Sequence, residues 1–347
     1  MSQFSYNTPA GRINEHKGEI LAHAIPREVL GITGQQKKMP KNVGDNVTYR
    51  RYLPFGGATT SATTINAWVV TAAAHVTQEG VTPNADSLTP QDINVQLQQY
   101  SCLYMYTDKT ADLYEDDVPA EMKKQTGERM GLVREMIRYG ALKAGTNLFY
   151  AGGTSRATVD EAVSYNLLSR VARSLLANRT DLITRVLSAS ASFNTSPVEP
   201  AFLVFCHTDC EHDIRALPGF IQSAEYGQRK LAHEMELGSV GRFRFIVSPE
   251  LGSVIDSGAS VGTTGLYSTG ASNIDVYPMI VVGENAWGDV ALRGGDSFDM
   301  TDLKPGAKDK SDPHGQRGYV GAKFWSAAKV LNDGHMAVVE VGVTSLS

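Results

Sequence analysis

Apolar positions recur at near-helical spacing from Val118 to Tyr150. Met122, Met130, Val133, Ile137, Ala141, Ala144 and Leu148 share one face, and Lys123, Lys124, Glu128, Arg134, Glu135 and Arg138 fall mostly elsewhere. The pattern predicts one long amphipathic helix with a dry and a wet side. Asp116 and Asp117 stand at its start as capping carboxylates, Pro119 occupies a first-turn position, and Gly152 and Gly153 end it. About thirty residues at a rise of about 1.5 Å make a rod roughly 45 Å long, which needs a surface to lie against. Gly127 and Gly131 each cost about 1 kcal/mol relative to alanine in a helix interior, so close approach of another backbone is expected there.

Before this helix, Asn46 to Phe55 carries strand-forming residues stopped by Gly56 and Gly57, and Ile93 to Thr107 alternates as a strand. Between them lies an excursion of Thr- and Ala-rich sequence with little core of its own, which must pack on another part of the chain or on a neighbour. Residues 1 to 45 read as a polar arm broken by Pro9, Pro26 and Pro40, with a short helical chance around Glu19 to Leu30. After the helix, Val159 to Leu187 predicts one or two further helices, with Val163, Leu167, Leu168, Val171, Leu175 and Leu176 as the stripe. Pro197 and Pro200 predict a loop, and Ala201 to Phe205 a buried strand leading to a helix over Asp209 to Leu217. Arg242 to Val247 and Val276 to Val282 read as strands, whereas Gly252 to Asn273 and Leu292 to Tyr319 read as exposed loops. The end is ordered: Val320 to Leu331 packs aromatic and small residues, Asn332 to Gly334 turns, and Met336 to Val343 alternates as a terminal strand. The fold class is α+β with long extensions.

Composition narrows function more than fold. The 347 residues, 42% hydrophobic and 20% charged, describe an ordinary globular chain able to bury a large core. A net charge of −5 argues against a protein that coats nucleic acid through a basic surface. Cys102, Cys206 and Cys210 are too few for a disulfide framework and suit synthesis in a reducing cytoplasm. The first residues lack a secretory signal pattern and no apolar run is long enough to span a bilayer, so no membrane role is expected and the Asn178 to Thr180 sequon carries no glycosylation reading.

Candidate chemistry is sparse. Cys206, His207, Asp209, Cys210, Glu211, His212 and Asp213 bring metal-ligating types together, but Cys206 and His207 at a strand end point to opposite faces and no second ligand pair follows. Gly258 to Gly262 matches the G-x-S-x-G spacing of a hydrolase elbow around Ser260, yet neither the strand before nor the helix after is present. His233 and Glu234 begin an H-E-x-x-H spacing in which Leu237 replaces the second histidine. Arg242, Phe243, Arg244 and Phe245 have types that stack on and neutralise a nucleic-acid strand, but the alternation more simply buries Phe243 and Phe245 on one face. No phosphate loop occurs, and the glycine pairs 56–57 and 152–153 lack the context of a dinucleotide site. No catalytic, cofactor-binding or metal residue is assigned, which favours a structural role over an enzyme.

Taken in order, these elements resemble the major capsid protein of tailed bacteriophages, the Hong Kong 97-type fold. Asn46 to Phe55 with Glu79 to Thr107 resembles that family's extended hairpin loop, and Val118 to Tyr150 its spine helix. Ala201 to Leu217 and Gly241 to Leu251 resemble elements of the axial domain, and Gly321 to Val343 resembles the returning segment of the peripheral domain. The resemblance implies an arm over residues 1–45, an extended loop over 46–107, a peripheral domain over 108–154 and 319–347, and an axial domain over 155–318. It further implies assembly through hexamers and pentamers into an icosahedral head enclosing double-stranded DNA without sequence-specific binding. A separate scaffolding protein, a portal and a decoration protein are the expected partners. No lysine and asparagine pair for crosslinking can be placed, so noncovalent stabilisation is expected. An encapsulin-type compartment shell, or a serine hydrolase using Ser260, are the alternatives.

Overall fold

The computed structural model describes residues 28–40, 44–52, 72–77, 79–80, 82, 88, 90–114, 117–187, 195–227, 229–262, 264–292, 299–306, 308 and 310–346. Readings that fall on the remaining residues, among them most of the helical segment Glu19 to Leu30, the Gly56–Gly57 pair and Asp116, lie outside the described residues.

The long helix forms as Val118–Lys143. The Asp117 carboxylate accepts from the Ala120 amide at 3.1 Å, which satisfies one of the amides a helix start leaves unpaired. The helix ends well before the expected Tyr150. Gly145 sits against Met336 so closely that a Cβ would lie 2.9 Å from its methyl carbon, and Leu148–Tyr150 departs as a short strand parallel to Val338–Glu340. Of the helix glycines only Gly131 marks a close approach, to the Glu28 carboxylate and not to a backbone; Gly127 and Gly140 face open space.

Two sheets flank this rod. Gln35–Met39, Trp287–Leu292, Arg317–Val330 and Asp299–Leu303 form one in that order, with Gln98–Thr107 also antiparallel to Arg317–Val330. The N-terminal half of the helix covers its inner face, Met122 beside Tyr106 and Val320, and Met130 beside Ala322 and Phe324. The second sheet runs Leu148–Tyr150, Met336–Val341, Tyr277–Val282, Thr195–Cys206, Phe243–Val247, Glu236–Val240 and Phe220–Gln222, with Ile183–Leu187 paired to Thr195–Cys206. Both faces of this sheet are covered, so its central strands read as continuous apolar runs. Phe202, Val204, Phe245, Met279 and Val339 pack under the Tyr165–Ala177 helix residues Leu167, Leu168, Val171 and Leu175. Leu203, Phe205, Ile246, Ile280 and Val338 point the other way, toward Tyr139 and Leu142 at the end of the long helix and toward Val29, Leu30 and Trp287. The long helix therefore joins two cores.

Several expectations change. The segment Val159 to Leu187 holds one helix, after which Arg179 takes φ of 56° and the β-branched Ile183, Thr184 and Val186 enter a strand. Pro197 and Pro200 lie within the Thr195–Cys206 strand, not in a loop. Ile93 to Thr107 is two strands divided at Leu97: Pro90–Gln96 pairs with Asn46–Tyr52 as an isolated hairpin, and Gln98–Thr107 crosses to Arg317–Val330. The polar stretch Leu292 to Tyr319 contains the edge strand Asp299–Leu303. Gly252 to Asn273 is tied down by bridges from Val254 to Val276, Ser260 to Asn273 and Leu266 to Thr344.

Candidate functional site

The residues singled out for chemistry are engaged structurally. Cys206 and Cys210 are fully buried and burial pushes both thiols up, away from the thiolate a metal needs. The Asp209 carboxylate accepts from the Tyr277 hydroxyl at 2.8 Å, and Asp213 accepts from the Thr344 amide and hydroxyl at 2.9 and 2.6 Å. Among the described residues no group of three or more His, Cys, Asp or Glu side chains is placed to hold a metal. Ser260 is exposed on an irregular bridge, and among the described residues no imidazole hydrogen-bonds to it. His233 accepts the Met235 amide at 3.1 Å within a turn, and burial holds its pKa below the ordinary histidine value. Asn178 is buried and donates to the Gly334 carbonyl at 3.2 Å, so the sequon is closed. Among the described residues no helix is long and apolar enough to cross a membrane.

The Arg242–Phe245 segment separates its two arginines. Phe243 and Phe245 are buried as expected and Arg242 is exposed, but Arg244 is buried as well. Arg244 donates to Glu236 at 2.6 and 2.9 Å, and Glu236 also accepts the Tyr226 hydroxyl at 2.9 Å and the Ala232 amide at 2.6 Å. A guanidinium consumed this way cannot track phosphates.

The feature that sequence reading missed is where the arm and the hairpin are rooted. Glu135 and Arg138, assigned to the wet face of the helix, are 0% and 4% exposed. One oxygen of Glu135 accepts both the Val29 and Leu30 amides at 2.7 Å, so the arm is captured through its backbone. Beyond it the Trp287 indole donates to the Thr33 hydroxyl at 3.2 Å, and Gly34 at φ of 96° leaves no room for a Cβ, which would lie 2.7 Å from the indole ring. Gln35–Met39 then adds parallel to Trp287–Leu292. Arg138 donates to Asp289 at 2.9 and 2.6 Å and lies 3.8 Å from the second oxygen of Glu135. From the hairpin, Tyr49 lies over Gly288, and burial first and the Asp289 charge second push its phenol up to about 12. The helix segment spacing places Glu135 and Arg138 three residues apart, the only hint in the sequence; the partners lie far away in the chain.

Outside these roots the extensions carry exposed apolar side chains. Tyr52, Val76 and Leu88 in the 46–96 excursion are 61%, 74% and 78% exposed. On the outer face of the five-stranded sheet Leu103, Leu303 and Trp325 are also open. Large exposed apolar groups gathered on extensions are the kind of surface that contact buries.

With this geometry the chain aligns with known proteins from end to end. It matches the capsid of Ralstonia phage GP4 with a TM-score of 0.68 and 13% identity over 100% of this chain and 99% of that one. The Cyanophage Pam1 capsid gives a TM-score of 0.61 and 14% identity over 99% and 100%. This is the Hong Kong 97-type capsid fold. In sequence, the chain is 20% identical over 389 aligned positions to the major capsid protein of Pseudomonas phage KPP21, covering 96% of each. No family profile matches the chain. In that fold the described residues hold packed cores on both sheets and send out extensions with uncovered apolar groups.

Proposed function

We propose that this chain is a major capsid protein that assembles with many copies of itself into the icosahedral head of a bacteriophage. The observation that carries the reading is the likeness, over nearly the whole length of both partners, to a curated phage major capsid protein and to phage capsid structures. The subunit is a structural protein of the virion, made in the host cytoplasm and assembled through hexamers and pentamers around double-stranded DNA. In that reading residues 1–45 are the arm, 46–107 the extended loop, 108–154 with 319–347 the peripheral domain, and 155–318 the axial domain. Neighbouring copies cover Tyr52, Val76 and Leu88, so assembly supplies the burial the isolated hairpin lacks. The net charge of −5 suits a wall that must not adhere to its contents. A separate scaffolding protein, a portal and a decoration protein complete the assembly, and the shell is held noncovalently.

Light scattering and electron microscopy of the purified chain, with and without a scaffolding partner, test the reading. Closed shells are the expected product. A monomer under every assembly condition would overturn the proposal, and a ladder of linked chains on denaturing gels would overturn its noncovalent part.

A further inference from the structure

A cleft of about 570 Å³ opens between the Asp108–Leu113 helix, the first turn of the long helix and the chain that follows Asp299–Leu303. Its floor is Tyr106, which is 2% exposed and holds its ring against Met122 and Val320. The Tyr106 hydroxyl makes no hydrogen bond among the described residues, and the charges around it, Asp302, Lys123 and Asp117, all belong to side chains that line the cleft. Burial first and the Asp302 charge second push its pKa up, so it stays a neutral hydroxyl with an open acceptor. The walls are acidic, with four aspartates against two lysines. Lys123 is matched by Asp302 at 2.6 Å, and Asp117 caps the long helix through the Ala120 amide, which closes the helix start to an anion. Asp108 accepts only the neighbouring Lys109 amide, and Asp112 is exposed with no partner among the described residues. Lys304 is the lysine that remains to balance them, and it leaves the cleft with net negative charge.

We propose that this cleft seats an arginine side chain from a second copy of the chain, an inference that rests on the self-assembly proposed above. A metal ion needs ligands that converge on one point, and among the described residues no three His, Cys, Asp or Glu side chains do so. A guanidinium is planar and carries five N–H donors in a fork, so it can meet carboxylates set apart and the phenol oxygen together. Ala111, Pro119 and Pro305 on the lining offer apolar surface to its aliphatic stem. The chain has such groups to offer. Arg170 and Arg173, one turn apart on the exposed side of the Tyr165–Ala177 helix, meet no carboxylate among the described residues. That helix packs on the eight-stranded sheet, whereas the cleft adjoins the five-stranded sheet at the opposite end of the long helix, so these arginines serve another copy's cleft and not their own. Contact between unlike surfaces of two copies is heterologous, the kind that closes rings.

N-acetyl-arginine amide, titrated into the unassembled full-length chain and followed by NMR, tests the seat without shells. Binding should weaken about threefold or more in Asp112→Asn and in Tyr106→Phe, each of which removes a group the fold does not use. The neutral isostere N-acetyl-citrulline amide should not bind. Equal binding of the two amides, tighter binding of inorganic phosphate, or a titration unmoved by both substitutions would overturn the site. Assembly then tests the occupant. Asp108→Asn combined with Asp112→Asn should lower the yield of closed shells severalfold, and a yield equal to the parent's would overturn the second copy as the source of the arginine. A parent chain that never assembles fails the capsid reading itself and the second copy with it, whereas a positive titration still establishes the arginine seat.

Discussion

Two buried arginines in this subunit are held in opposite ways. Arg244 and its partner Glu236 are eight residues apart, on adjacent antiparallel strands of the eight-stranded sheet. Every acceptor position used on Glu236 has a short donor, from Arg244, Tyr226 and Ala232. Arg138 and Asp289 are 151 residues apart and join the long helix to the other sheet, with Glu135 as a second carboxylate in reach and one oxygen of each carboxylate left over. The first pair puts two guanidinium bonds on one carboxylate and a third on the Lys230 carbonyl, and leaves Arg244 Nη1 over. The second has an alternative carboxylate, and it lies where the extensions leave the body. A buried ion pair adds little stability for its own sake, because desolvation offsets most of the attraction. What differs is therefore where each pair acts: one ties two adjacent strands, and the other ties the long helix to the strand beside which the arm enters.

The largest expected effect breaks the Arg244 pair. Glu236→Ala leaves Arg244 buried without its carboxylate and should cost about 3–5 kcal/mol, seen as a lowered denaturant midpoint of the unassembled subunit. Asp289→Ala removes the corresponding partner of Arg138, yet Glu135 remains to receive the guanidinium, so the loss should be smaller, about 2 kcal/mol. Equal losses would erase the distinction between the two clusters.

How much of this the sequence shows depends on where each partner lies. The apolar run Ala201 to Phe205 identifies a strand covered on both faces, and Asp117 with Pro119 identifies the helix start. The Arg317–Val330 strand alternates only in part, since Gly321 and Ala327 are buried as well, and its inward-facing positions are Gly318, Val320, Ala322, Phe324 and Ser326. Small and polar residues hide the period from a hydropathy reading, because the helix packed above needs them small. The pattern puts Glu135 and Arg138 on the wet face since charge usually means solvent; their partners, the arm amides and Asp289, are contributed by folding. The Arg244 pair is closer to legible, because Glu236 stands nearby, yet only the sheet register turns the two side chains together.

Gly34→Ala is a milder perturbation of the junction where the arm enters. At φ of 96° alanine is strained by about 1–2 kcal/mol, and its methyl meets the Trp287 indole. The loss should appear as local opening of residues 28–39, with global unfolding changed less, since neither packed core contains Gly34.

The smallest effect is acid sensitivity, and it separates the same two regions through one histidine in each. His233 stands beside the Arg244 pair and His335 beside the hairpin root; burial lowers the pKa of both below the ordinary histidine value. The unfolded chain therefore binds protons first, and each site loses stability as pH falls below about 6.5, with no contribution at higher pH. Their surroundings differ. Protonated His233 would feel the favourable charges of Glu234 and Glu236, whereas His335, with its Nδ1 atom 3.2 Å from the Glu284 carbonyl, feels both the favourable charge of Asp181 and the opposing charge of the hairpin's Arg51. Protonation at His335 sets a cation against Arg51 and so should loosen the hairpin root in preference to the body. Exchange over 46–52, corrected for its intrinsic pH dependence, should rise between pH 7.5 and 5.5 in the parent chain and stay level in His335→Gln, while His233→Gln leaves that rise intact. A rise that persists in His335→Gln would place the acid response elsewhere and remove the histidine from the hairpin's control.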